Sequence, residues 1–294
     1  MRILLVSTFE PGAYGHVIRH TLDKMGHVVR KFDHIQTSMK DYSKVGELDQ
    51  KFELACEAYE PELIFIVKGR GLTPSIIKKQ TAKKVLWWTD SIKRYADFQE
   101  YVDSVDKAYC LEEGQNFPWM PTGIDEYFHK PYHVDNPLSK SDVIFIGTGH
   151  YFRTNEILRI FTGLTDYNLA IWGNAWPKNP YQRGKAIYQL DTMAVYTEAK
   201  IILNKHYIPG ITPNMRAFEA PASGTMVLSD TGKGLEECFK EGKEFVAYKD
   251  ERDARYLIRK YLEDEDERLK IAKAGFDRVR KDHQLSDRMV KMLI

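Results

Sequence analysis

The chain has 294 residues, 43% of them hydrophobic and 29% charged; this balance excludes a disordered chain, and the length suits about two domains with separate cores. Lys and Arg number 43 against 42 acidic residues, a formal net charge of +1, so a strongly basic nucleic-acid protein is not expected, although a local patch stays open. Mean hydropathy is −0.46 and no apolar run approaches the ~18 residues that span a bilayer, so no transmembrane segment is expected. The first residues lack an export-signal pattern. Cys56, Cys110 and Cys238 are odd in number and far apart, which suits a reducing cytoplasm better than a disulfide framework or a zinc cluster.

Residues 2–7 form a short apolar run bounded by turn signals, which predicts a buried strand. A loop with Gly12 and Gly15 follows, then a helix over 16–25 closed by Gly26. Strands are predicted at 27–32, 63–68, 84–88 and 107–111, with helices at 49–59 and 74–81. The segment 128–140 carries Pro131 and Pro137 with little periodicity and is the best linker. A second alternation then begins: strand 142–147, helix 155–161, strands 168–172 and 200–204, helix 214–219 and strand 225–229. Helices at 251–262 and 265–282 follow. The alternation predicts an α/β protein of two doubly wound, Rossmann-like domains, 1–135 and 136–294, facing a central cleft. Ligands in such sheets sit beyond the carboxyl ends of the strands, so facing domains favour an enzyme that joins two substrates.

The first glycine loop allows close backbone approach and leads to a helix N-terminus. Its G-x-x-G spacing lacks the three glycines of the dinucleotide fingerprint, which disfavours a nicotinamide oxidoreductase. A second loop, Gly147-Thr148-Gly149, occupies the same position in the second half, and Arg153 places a permanent charge near it, suited to a diphosphate. In the stretch Thr212-Pro213-Asn214-Met215-Arg216-Ala217-Phe218-Glu219, Asn214 is a plausible N-cap, and Arg216 and Glu219 share a helix face. An Arg there can hold phosphate oxygens and a Glu one turn later can accept both ribose hydroxyls; a surface ion pair is the plain alternative.

This stretch resembles the R-x-F-E-a-x-A-x-G signature of CgeB-like proteins (spore maturation protein CgeB and its relatives), a group of GT-B glycosyltransferases. Val85-Leu-Trp-Trp-Thr-Asp90, Trp119-Met-Pro-Thr-Gly-Ile-Asp125 with Phe128 and Pro131, Asp142-Val-Ile-Phe-Ile-Gly-Thr148 and Gly234 to Tyr248 are similar to the same group in the same order. The resemblance implies a nucleotide-diphosphate sugar, UDP- or GDP-linked, held by the second domain, with Glu219 on the ribose and Arg216 and Arg153 on the diphosphate. It also implies that the first domain holds the acceptor and that residues 285–294 cross back to it. Related retaining enzymes have a second Glu eight residues earlier; here that position is Ile211, which leaves inversion or retention open. Pro221 predicts that the Arg216 helix ends early or kinks.

The expected protein is therefore a cytoplasmic, metal-independent glycosyltransferase of hexosyltransferase type, with no cofactor beyond the donor. Its acceptor stays open among a protein, a small molecule, a polymer and modified DNA. A catalytically idle nucleotide-sugar-binding module for regulation or assembly is the alternative. Displacement at the anomeric carbon needs a base; Asp90, at the end of an apolar strand, and His16, after the first glycine loop, are the candidates. His150 and His206 could contact donor phosphates. Asp264 and Asp266 match an acid-x-acid metal motif, but their place between two helices suits capping, and His16 with His20 lacks a third metal ligand.

Overall fold

The computed structural model describes residues 1–34, 45–92, 95–112, 116–135, 140–206, 213–232 and 234–294, with the side chains of 45, 151 and 152 left out. Ile211, Thr212 and part of the proline-bearing segment, 136–139, lie outside the described residues. The chain divides into two compact units, Met1–Pro121 with Leu285–Ile294, and Thr122–Gln284.

The first unit runs β1 (Arg2–Ser7), α1 (Tyr14–Lys24), β2 (Val28–Asp33), α2 (Val45–Tyr59), β3 (Leu63–Val67), α3 (Pro74–Lys79), β4 (Lys83–Trp88), α4 (Phe98–Val102) and β5 (Lys107–Cys110). Its strands pair in parallel in the order β2-β1-β3-β4-β5. β3 is buried at every position and β1 and β4 at all but the first, as strands covered by helices on both faces require. Leu4, Val6, Ile64, Ile66, Leu86 and Trp88 form one side of its core with Phe52 from α2 and Phe98 and Tyr101 from α4.

The second unit runs β6 (Ser141–Ile146), α5 (Tyr151–Thr162), β7 (Leu169–Trp172), β8 (Gln182–Gly184), α6 (Leu190–Thr197), β9 (Ala199–Asn204), α7 (Arg216–Ala222), β10 (Met226–Asp230), α8 (Leu235–Cys238), β11 (Val246–Tyr248), α9 (Glu251–Glu263) and α10 (Glu265–Asp282). Its six parallel strands lie in the order β11-β10-β9-β6-β7-β8. Val143, Phe145, Ile171, Ile201, Leu203 and Leu228 pack with Ile157 and Ile160 of α5 and Ile258 of α9. The last helix, α11 (Leu285–Leu293), belongs to the first unit and packs on α1. There Tyr109 Oη donates to Lys291 O at 3.1 Å and Lys83 Nζ to Ile294 O at 3.2 Å.

Two doubly wound parallel sheets are thus present. The sequence did not indicate α4, α6, α8, β8 or β11. Each is three to eight residues long, too short for a periodicity to register, and β8 (Gln-Arg-Gly) has no apolar residue at all. The expected boundary at 135/136 also differs from the units, which change at Pro121/Thr122. Residues after Thr122 join the second unit because Ile124 N donates to His283 O at 2.9 Å and His129 lies beside Glu219. Asp264 caps α10, accepting from Glu267 N at 3.1 Å, the bland role its position suggested.

Gly275, inside α10, sets how closely that helix approaches the rest of the unit. A Cβ there would collide with Glu244 O and lie 3.5 Å from Pro221 Cβ of α7. Helix propensity alone would make Gly275→Ala stabilising by about 1 kcal/mol, whereas overpacking against backbone costs about 1–3 kcal/mol. We expect packing to win and thermal unfolding of Gly275→Ala to show a lowered Tm; a raised Tm would show that α10 is free to shift.

Candidate functional site

In the second unit the strand order reverses between β6 and β9, which pair side by side, and ligands of such sheets bind at the carboxyl ends where this reversal opens a crevice. Arg216, the first residue of α7, reaches that point. Its Nη2 donates to Ile146 O at the end of β6, and its Nη1 to Asn204 Oδ1 at 2.9 Å and Lys205 O at 3.4 Å at the end of β9. The guanidinium also lies 4.7 Å above the Phe145 ring, a cation–π contact. Asn214 supports the same corner: Nδ2 donates to Asn204 Oδ1 at 3.0 Å, and Oδ1 accepts from Ala217 N at 3.1 Å. The formal cap position falls on Met215, so the helix starts later than the sequence suggested while Asn214 still supplies a capping oxygen. α7 stops at Ala222, one residue past Pro221.

Glu219 stands one turn beyond Arg216, with its side chain 22% exposed and Oε1 3.5 Å from His129 Nε2. Arg216 therefore turns to the sheet edge and Glu219 to His129, and the simple surface pair is not what the structure shows. Gly147 and Gly149 are held by packing. A Cβ on Gly147 would come within 2.6 Å of Arg216 Nη2, and one on Gly149 within 2.5 Å of Ala175 O. Trp176 Nε1 donates to Gly147 O at 2.8 Å, and Gly149 N to Asn174 O at 2.8 Å. Thr148 lies between them, and its carbonyl accepts from Arg153 Nη1 at 3.2 Å. His150 is the N-cap residue of α5.

The strand ends also carry a charge network, of which only His206 stands out in the sequence. Lys205 Nζ lies 2.8 Å from Glu156 Oε2 and 3.2 Å from Asp230 Oδ2, and His206 Nδ1 lies 2.7 Å from Asp230 Oδ1. Asp230 Oδ1 also accepts from His206 N at 3.0 Å. Burial by itself would lower the Lys205 ammonium, but Asp230 and Glu156 hold it above its ordinary value. Burial would likewise raise the Asp230 carboxyl, yet the His206 bond and the neighbouring Lys205 hold it below the usual carboxylate range. Tyr196, fully buried, is pushed up to about 12 by desolvation. Polar residues directly after predicted strands were the available signal for Lys205 and Asp230; His129 had none, lying 90 residues from its partner.

The remaining candidates lie in the first unit. Gly12 has φ +80°, a turn conformation that favours glycine. Gly15 lets α1 rest on β1: a Cβ would strike Thr8 O and lie 2.8 Å from Ser7 Oγ. His16 Nε2 donates to Phe9 O at 2.7 Å. Asp90 Oδ2 accepts from Tyr95 Oη at 2.9 Å and Lys68 Nζ at 3.3 Å, and Oδ1 from Ser91 N at 2.9 Å. His16 follows β1 and Asp90 follows β4, with β3 between those strands. Gly12, Gly15, His16 and Asp90 thus share one unit, while Gly147, Thr148, Gly149, Arg153, Asn214, Arg216 and Glu219 share the other.

Residues 153–294 match the family model described as glycosyl transferase-like. Sucrose-phosphate synthase from Thermosynechococcus elongatus is similar over 99% of this chain and 97% of its own, at 12% identity and TM-score 0.72. HepE of Anabaena in complex with UDP-glucose is similar over 100% and 98%, at 11% identity and TM-score 0.70. The chain has the GT-B fold of glycosyltransferases. An α-glucosyltransferase in complex with UDP-glucose and DNA containing an abasic site shares this fold over 100% and 98% of the two chains, at 11% identity and TM-score 0.69. No curated protein matches the sequence. The glycosyl transferase-like segment contains Arg153, Asn214, Arg216 and Glu219 together with Lys205 and Asp230. No helix among the described residues is long and apolar enough to cross a membrane.

The Asp230 network has a pH signature. A carboxyl whose folded value lies below its ordinary 3.8 contributes stability that is complete above that value and fades as pH falls through the folded one. The difference in unfolding free energy between wild type and Asp230→Asn should be largest near neutrality and shrink below about pH 4. Denaturant titrations from pH 7 to pH 3 check this, and a constant difference would remove Asp230 from the ion pair.

Proposed function

We propose that this protein is a glycosyltransferase, similar to the CgeB-like group, that moves a sugar from a nucleotide-diphosphate sugar to a hydroxyl of an acceptor. The observation that carries the reading is the placement of Arg216 and Glu219 at the carboxyl edge where the strand order reverses, in a fold that two of the compared proteins use with UDP-glucose bound. The donor is UDP- or GDP-linked. Glu219 accepts the ribose hydroxyls, and Arg153 and Arg216 supply fixed positive charge for the diphosphate, with Gly147, Thr148, Gly149 and Asn214 shaping the loops around it.

The first unit holds the acceptor. A base takes the acceptor hydroxyl proton as that oxygen bonds to the anomeric carbon, and the bond from that carbon to the diphosphate oxygen breaks, releasing the nucleoside diphosphate. We assign the base to His16: its Nε2–H is committed to Phe9 O, so Nδ1 carries the lone pair in the neutral ring. Asp90 serves as the second candidate, with both oxygens already accepting bonds. Positive side chains rather than a divalent ion stabilise the leaving group. The acceptor is open among a protein, a small molecule, a polymer and modified DNA; the near-neutral charge argues against DNA, and a steep loss of binding with salt would argue for it.

The engaged state of Asp90 favours one alternative, a nucleotide-sugar-binding module without turnover. Release of free nucleoside diphosphate from donor separates the two. For the donor site itself, Glu219→Gln keeps size but loses charge and the ability to accept from two hydroxyls equally well. Losing a charge-assisted hydrogen bond costs about 1.5–3 kcal/mol, so donor affinity should fall roughly ten- to a hundredfold with the fold intact. Calorimetric titration of a nucleotide sugar reads this directly; unchanged affinity would remove Glu219 from the site.

A further inference from the structure

We propose that His129 is a positioning residue that orients the Glu219 carboxylate for the ribose; the inference rests on the donor-site reading above. His129 is carried by a turn in the second unit, and its side chain is only 5% exposed. The turn is fixed at its start and within. Ile124 N donates to His283 O at 2.9 Å, and Asp125 Oδ1 accepts from Tyr127 N at 2.9 Å.

The turn also decides the imidazole's proton. Asp125 N–H points at His129 Nδ1 from 3.0 Å, and an N–H facing a ring nitrogen at that distance requires a lone pair there. The competing arrangement, Nδ1–H donating to Asp125 O at 3.2 Å, meets an oxygen that already accepts from Phe128 N at 3.1 Å and His129 N at 2.8 Å. The neutral ring therefore carries its proton on Nε2, the atom 3.5 Å from Glu219 Oε1.

That distance is longer than the roughly 2.7–3.2 Å of an ordinary N–H···O bond, close enough to bias the carboxylate electrostatically and able to shorten into a bond when ligand draws it in. A donor on Oε1 selects one carboxylate rotamer and leaves Oε2 to face a pair of neighbouring hydroxyls. Without it, Glu219 must be ordered at the moment of binding. Immobilising such a side chain costs about 0.5–1.5 kcal/mol, which corresponds to roughly a three- to tenfold loss of affinity.

The test is a double-mutant cycle. UDP, GDP, ADP and TDP are titrated into wild type, and the tightest is carried through His129→Phe, His129→Gln, Glu219→Gln and the pair His129→Phe with Glu219→Gln. His129→Phe keeps a ring without a donor; Gln places an amide N–H near the position of Nε2. We expect His129→Phe to weaken binding about three- to tenfold, His129→Gln to recover most of it, and His129→Phe to cost nothing further once Glu219 is Gln. If the Phe variant does not fold, His129→Asn, whose amide sits at the Nδ1 position, replaces it. Additive losses, or equal losses for Phe and Gln, would overturn the positioning role while leaving the donor site standing. Absence of nucleotide binding by wild type, or a Glu219→Gln variant that binds as wild type does, would overturn the donor-site reading itself.

Discussion

The guanidinium of Arg216 closes the corner on which the rest of the second unit's edge is built. The last carbonyls of adjacent parallel strands have no ladder partners beyond the sheet, and a buried carbonyl left unpaired costs about 1–3 kcal/mol. Arg216 answers this with a rigid fork, bonding Ile146 O on β6, Asn204 Oδ1 on β9 and Lys205 O just past it. A lysine, with a single ammonium, could not satisfy acceptors on two strands in that geometry. The residue types around it follow: glycine at 147, where a Cβ would crowd Nη2, and Asn at 214 and 204, whose amides complete the bonding.

Electrostatics along this edge are arranged in two zones. Near β9 and β10 the Lys205 ammonium is neutralised by Glu156 and Asp230, so it contributes rigidity more than net charge. Near β6, the Arg153 and Arg216 guanidinium groups both lie over the Phe145 ring, at 5.8 and 4.7 Å from its centroid. An anion arriving at the second zone meets charge that is already oriented, the condition under which fixed dipoles and charges are most effective. In the first unit the comparable edge is more engaged. Asp90 is tied to Lys68 and Tyr95, and His16 to Phe9 through Nε2.

Local patterns in the sequence located most of the strands and the larger helices to within a few residues, and with them the loops that carry Gly147, Gly149, Arg216 and Glu219. Those glycines were read as room for a ligand, and the structure adds a second reason: the backbone of 173–176 and the Arg216 fork already occupy the space. The Lys205–Asp230 pair was half legible, since both follow apolar strands. His129 was not legible, because its meaning depends on a turn anchored to His283 and a partner on a helix far along the chain.

The sequence by itself determined two parallel α/β sheets, because strand and helix periods are local properties that the hydrophobic pattern writes directly. It also determined which residue types stand at the carboxyl edges. Tertiary structure alone decided the strand order β11-β10-β9-β6-β7-β8 and the orientation of each edge side chain. Those depend on contacts between residues far apart in the chain, such as Arg216 with Ile146 and Glu219 with His129. No window of sequence contains both partners, so only the folded chain can bring their charges and lone pairs close to one another.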